Sequence, residues 1–281
     1  MLELHDPLWA KLGEHVPAII SQLAASWDDE AAKSLLYDDL CHQETCHGAT
    51  YAAIPHLLKI AELEENRHQR WEIALFVGFV ALCARDGYRQ GPGALPGLHE
   101  TLEGWERTST PVNAADLKKI LSIKASFLSA LPAIRAMCER ALLENEDAEA
   151  APYFLSGIAA AGGLLSIARL LHDGDEGWFA CSSCGSDYGF LLRGDRIAVY
   201  GNGIAGDEDD DVLSDDKDRT TSRTGGFIVP IGESDVLDVR ITGLLSAADR
   251  AARPDLALRV RHFAGTFSCP KCGVKGPMWA L

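Results

Sequence analysis

The chain is short of positive charge. Against 41 aspartate and glutamate side chains it carries 26 lysines and arginines, for a formal net charge of −15. A surface of that sign repels nucleic-acid phosphates and anionic lipid, and it attracts a basic protein partner and speeds its arrival. Long apolar runs are missing too. The longest, residues 73–84, is too short to cross a bilayer and predicts a buried helix, so no membrane association is expected. The N-terminus lacks a basic stretch followed by an apolar one, the pattern of a secretory signal. The eight cysteines are therefore read as reduced thiols of a cytoplasmic protein. Familiar catalytic signatures are also lacking: there is no GxSxG, no phosphate-binding P-loop and no HExxH. Gly201-Asn202-Gly203 stands outside the strand-to-helix setting of a dinucleotide site. Nothing in the sequence asks for an enzyme.

What is present is a pair of cysteine knuckles. Cys181-Ser182-Ser183-Cys184-Gly185 and Cys269-Pro270-Lys271-Cys272-Gly273 share the spacing CxxCG. Two intervening residues let both sulfurs of a knuckle face one site, and the following glycine permits the positive φ that turns backbone N–H groups toward the sulfurs. Each knuckle follows a strand-like aromatic lead-in, Trp178-Phe179-Ala180 or Thr266-Phe267-Ser268. Together, Cys181, Cys184, Cys269 and Cys272 supply the four thiolates of one structural, tetrahedral Zn2+. About 80 residues separate the knuckles rather than the usual ~15–20, which predicts a zinc ribbon with a large insertion. A redox CxxC is the rival reading, but it calls for a helix N-terminus within a βαβ unit, and neither knuckle has one. No basic patch accompanies either knuckle, so nucleic acid is not an expected partner.

A length of 281 residues suits two domains. Residues 1–174 carry helical periodicity almost throughout. Leu8, Leu12, Val16, Ile19, Ile20 and Leu23 form one stripe over residues 6–25. Further helices are expected over 28–41, 49–63 and 66–84, with Pro55 kinking or resetting the third. The Gly- and Pro-rich stretch 86–104 predicts a loop. Thr110-Pro111 starts another helix, Pro132 interrupts it, and residues 134–143 continue it. The last helix, 150–171, contains Gly162-Gly163, which allow close packing or a bend. Antiparallel helices with short joints predict a HEAT-like array.

Residues 175–281 change period. Short strands are expected at 190–192, 197–200 and 226–231, and short helices at 244–251 and 254–262. Between them lies an acidic block with Asp207, Glu208, Asp209, Asp210, Asp211, Asp215, Asp216 and Asp218. It lacks the ligand spacing and sixth-position glycine of a calcium loop. It reads as a solvated segment or as a set of carboxylates that meets a basic partner. One more cluster carries possible chemistry. Cys41-His42 and Cys46-His47 place a thiol and an imidazole at a spacing that suits a metal or an activated thiolate. The alternative, which the packing habit of free cysteine favours, is that Cys41 packs in the core and His42 and Gln43 cap or hydrogen-bond the turn between helices.

Two stretches resemble a known group of proteins. Residues 40–58, LCHQETCHGATYAAIPHLL, and residues 252–273, ARPDLALRVRHFAGTFSCPKCG, resemble segments of bacterial HEAT-like helical-repeat proteins with a C-terminal zinc ribbon. The family pattern has glycine where this chain has Glu44. Some of these proteins stand beside polymorphic toxin genes and are taken to be immunity proteins. The resemblance implies a mainly α protein: a HEAT-like antiparallel helical array followed by a small β-containing zinc ribbon of four cysteines with a helical insertion. It also implies that this chain binds and inhibits a partner toxin and performs no catalysis. The charge balance would suit a basic, nuclease-like toxin domain. A zinc-ribbon scaffold or adaptor without enzymatic activity is the alternative.

Overall fold

The computed structural model describes the chain apart from residues 43–44, 64–65, 86–113, 182, 194–195, 202–225, 233–237 and 278–281. The fold is mainly helical with small antiparallel sheets, and the chain divides into two compact units, 1–163 and 164–281.

The first unit begins with α1 (Trp9–Leu12) and α2 (Val16–Ala25). The single expected stripe over 6–25 is split at Gly13, whose N–H closes on the Trp9 carbonyl. Asp28 caps α3 (Asp29–Ser34) by accepting from the Ala31 N–H. The chain then widens into a π-helical turn, Leu35–Leu40, and enters a small hairpin of β1 (Cys41–His42) and β2 (Thr45–Cys46). Regular helix was expected up to residue 41. The wider turn buries Leu35, Leu36 and Leu40 together, and the Thr50 hydroxyl donates to the Leu40 carbonyl.

The array proper follows: α4 (Gly48–Leu63), α5 (Arg67–Arg85), α6 (Ala114–Glu144) and α7 (Ala151–Ala161). The short joints α4–α5 and α6–α7 make two helix pairs, and the pairs stack, α4 on α6 and α5 on α7. Pro55 and Pro132 do not interrupt their helices as expected. Each proline removes one backbone bond, and burial of Tyr51, Leu57, Phe127 and Ile134 around them outweighs that loss. By length and composition alone α6 could cross a membrane. Within the unit it packs on α4, α5 and α7 through Ile120, Ile123, Phe127, Ile134, Cys138 and Leu142. Leu117, Leu121 and Leu128 on it are exposed.

The helix pairs approach closely where glycine allows it. A Cβ on Gly157 of α7 would lie 2.9 Å from the Gly78 Cα of α5 and 2.8 Å from the Cys138 sulfur of α6. Three helices thus meet at a point sized for hydrogen atoms.

Gly162-Gly163 end α7 rather than bend it, with Gly163 at φ +83°. The division between units falls there, so α8 (Leu165–Asp173) belongs to the second unit, one helix earlier than the boundary expected at 174. The second unit continues with β3 (Glu176–Ala180), β4 (Asp187–Arg193), β5 (Arg196–Gly201) and β6 (Gly226–Val229). Next come α9 (Val239–Arg250), α10 (Pro254–Phe263), β7 (Thr266–Ser268) and β8 (Lys275–Pro277). The strands form one antiparallel sheet in sequence order. Buried in this unit are Phe190 and Val199 of the sheet, Leu244 and Ala248 of α9, Val260 and Phe263 of α10, and Ile167 and Leu171 of α8. Phe190 and Phe263 meet edge to face at 5.6 Å.

Candidate metal centre

Each knuckle is the turn of a hairpin. Cys181 and Cys184 lie between β3 and β4, and Cys269 and Cys272 lie between β7 and β8. The two turns repeat one hydrogen-bond pattern. Cys181 N–H donates to the Ser186 carbonyl at 2.9 Å and Gly185 N–H to the Cys181 carbonyl at 2.8 Å. In the second knuckle Cys269 N–H donates to Val274 and Gly273 N–H to Cys269, both at 2.9 Å. Gly185 and Gly273 sit at φ +66° and +73°. That left-handed conformation is the one the glycine at the end of CxxCG supplies, and a Cβ there would strain the turn.

The hairpins occupy opposite ends of the sheet order, yet their turns converge. Phe179 of β3 meets Phe267 of β7 edge to face at 5.1 Å, and Tyr188 of β4 meets Phe267 at 5.2 Å. This aromatic group holds the two hairpins against each other beneath the knuckles. All four sulfurs then lie within 4.8 Å of one another. Cys181–Cys272 and Cys184–Cys269 are each 3.8 Å apart. A regular tetrahedron with metal–sulfur bonds of about 2.3 Å has edges of about 3.8 Å. The thiol set therefore fits a tetrahedral ion, with one ligand pair from each knuckle.

The surroundings favour thiolates. Burial acts to raise the Cys269 thiol, but the Tyr188 hydroxyl, 3.1 Å from its sulfur, and the Cys272 and Lys271 N–H groups outweigh it, bringing it down to about 6. The Ser186 hydroxyl and N–H lower Cys184, whose sulfur is 3.3 Å from Ser186 Oγ. Cys272 goes the other way. The Val274 N–H acts to lower it, but burial and the three neighbouring cysteines push it up to about 11. Four negative sulfurs this close repel one another, and only a cation lets all four ionise. Cys181 and Cys269 are buried and Cys272 is exposed.

Sequence reasoning identified the four cysteines but missed Tyr188 and Ser186. The available signals were modest: Ser186 stands two residues after Cys184, and Tyr188 begins the alternation Tyr188, Phe190, Leu192 of β4. The acidic residues Asp207, Glu208, Asp209, Asp210, Asp211, Asp215, Asp216 and Asp218 lie outside the described residues. In the first unit Cys41 and Cys46 are buried while His47 is exposed. The hairpin thus separates Cys46 from its neighbouring imidazole. Among the described residues, the knuckle cysteines are the one group of at least three His, Cys, Asp or Glu side chains with ligand atoms gathered this closely. No family model, curated protein or solved structure matches the chain.

Proposed function

We propose that the protein is a binding protein rather than an enzyme, with a ribbon built around one structural zinc ion. The observation that carries the metal reading is the closed set of four sulfurs within 4.8 Å of one another, two of whose separations equal a tetrahedral edge. A catalytic zinc keeps one position for water or substrate, whereas four cysteines fill every position. Thiolate ligands favour zinc among the common divalent ions, with iron the competitor for an all-sulfur set.

The partner we propose is a toxin domain, which the protein occludes in the manner of an immunity protein. Two things support this reading: the resemblance of residues 40–58 and 252–273, and the net charge of −15. A nuclease-like toxin must present positive charge to phosphate, and an acidic inhibitor uses the same field to speed encounter. Stacked helix pairs provide extended area for such contact without any catalytic group. The test is co-expression with a toxin domain encoded beside this chain's own gene. Survival of the cells together with a purified one-to-one complex is the expected result. Undiminished killing with no complex rejects the reading.

A further inference from the structure

Three thiols outside the ribbon converge in the helical unit. Cys41 and Cys46 face each other across the β1–β2 hairpin. The His47 N–H donates to the Leu40 carbonyl at 3.0 Å, which makes the neighbouring 40–47 rung the hydrogen-bonded one. Cys41 and Cys46 therefore occupy a non-hydrogen-bonded rung, where facing Cα atoms lie about 4.5 Å apart. That separation falls within the ~4.4–6.8 Å that disulfides span. The two sulfurs are already 3.2 Å apart, and both residues are buried. Cys83 of α5 also bonds to Cys46, as does the hydroxyl of buried Tyr51.

We propose that Cys41 and Cys46 are a disulfide-forming pair, a redox modification site whose chemical partner is a small-molecule disulfide, with Cys83 the competing thiol. The step balances without a further reagent. One protein sulfur attacks the small disulfide and releases one small thiol, leaving a mixed disulfide. The second protein sulfur attacks the protein sulfur of that bond and releases the other small thiol. Two protein S–H bonds and one small-molecule S–S bond are lost, and one protein S–S bond and two small-molecule S–H bonds are formed.

The setting suits the product. Bonding to Cys41 and Cys83 and burial hold Cys46 as a neutral thiol, and a disulfide is neutral as well. Entry of the reagent needs only local opening. A hairpin with two residues per strand is among the weakest elements of a fold, and it opens at lower cost than the helices around it. Once formed, the bond ties the end of the π-helical turn to the start of α4.

The test uses the full native chain, equilibrated with graded ratios of oxidised to reduced glutathione, then quenched in acid, alkylated and peptide-mapped. Tryptic cleavage leaves Cys41 and Cys46 in one peptide, residues 34–59, and Cys83 in another. The expected result is loss of two hydrogens within peptide 34–59, retained in Cys83→Ser, or in Cys83→Ala should the serine variant fail to fold. Mapping of the unsubstituted chain is decisive without any variant. Full alkylation of Cys41 and Cys46 at the oxidising end, or predominant linkage of Cys46 to Cys83, overturns the proposal. Linkages among Cys181, Cys184, Cys269 and Cys272 fall in other peptides and do not confuse the reading.

Discussion

Single hydroxyl and imidazole groups fix the behaviour of both units. Tyr188 puts its hydroxyl 3.1 Å from the Cys269 sulfur and its ring against Phe267. Tyr188→Phe keeps the ring and removes only the donor, so the hairpins should still close. Loss of an outer partner of this kind weakens metal retention by about 10–100-fold, and chelator competition should read that shift with unchanged circular dichroism. Equal retention in the variant would mean that the hydroxyl only packs. In the helical unit His56 is buried, and its Nε2 lies 2.8 Å from the Leu2 carbonyl. Burial lowers its pKa, against the opposing effect of the Leu2 bond. The unfolded chain therefore takes up this proton more readily than the folded one. The contribution of His56 to stability is complete above the ordinary histidine value of about 6.5, and it is lost as pH falls from there through the folded value. An NMR titration should place the His56 midpoint below the ordinary histidine value of about 6.5, and His56→Gln should flatten the loss of thermal stability between about pH 7 and 5. A His56 midpoint at or above that ordinary value contradicts the account. Neither residue's partner was legible in the sequence. Tyr188 gains its role from a sulfur 81 positions away and His56 from a carbonyl 54 positions away, and spacing reports only local neighbours.

Elements were legible where a local rule decided them and illegible where packing did. The CxxCG turns followed the rule, because cysteine spacing and the positive φ of Gly185 and Gly273 are local. The strands leading into them, β3 and β7, followed too, whereas β8 was not expected, its three residues being too few to show an alternation. Pro55 and Pro132 did not interrupt their helices, because the buried faces around them outweigh one missing bond each. Gly162-Gly163 were expected within a helix and instead end one. The hairpin at Cys41 and Cys46 was read as the turn between two helices, because strands of two residues are too short to show an alternation. Gly157 tests the packing level directly. An exposed helical glycine gains stability on change to alanine, by about 1 kcal/mol in propensity. Here the new methyl meets the Gly78 Cα at 2.9 Å and the Cys138 sulfur at 2.8 Å. Gly157→Ala should therefore destabilise the protein, by about 1–3 kcal/mol in denaturant titration. A neutral or stabilised variant would show that α5, α6 and α7 do not meet as described.

At the scale of the whole molecule, the two units depend on different physics. The helical unit holds together by burial of large apolar side chains, Tyr51, Phe76, Phe127 and Phe154 among them. The ribbon's knuckles have an aromatic group beneath them and the proposed zinc between them. Zinc bound by such ligands contributes about 10–16 kcal/mol in finger peptides, and that energy is folding energy. Chelation should remove the knuckles' protection from hydrogen exchange while the core of α5 and α7 keeps its own. Simultaneous loss in both units contradicts this division of labour. The central claim concerns the ion itself, and X-ray absorption with metal analysis of the purified full chain tests it most directly. The account predicts one zinc per chain in a shell of four sulfurs at about 2.3 Å, reduced to three sulfurs or lost in Cys269→Ser. A zinc-free protein, or one whose knuckle cysteines are joined as disulfides under reducing conditions, contradicts it.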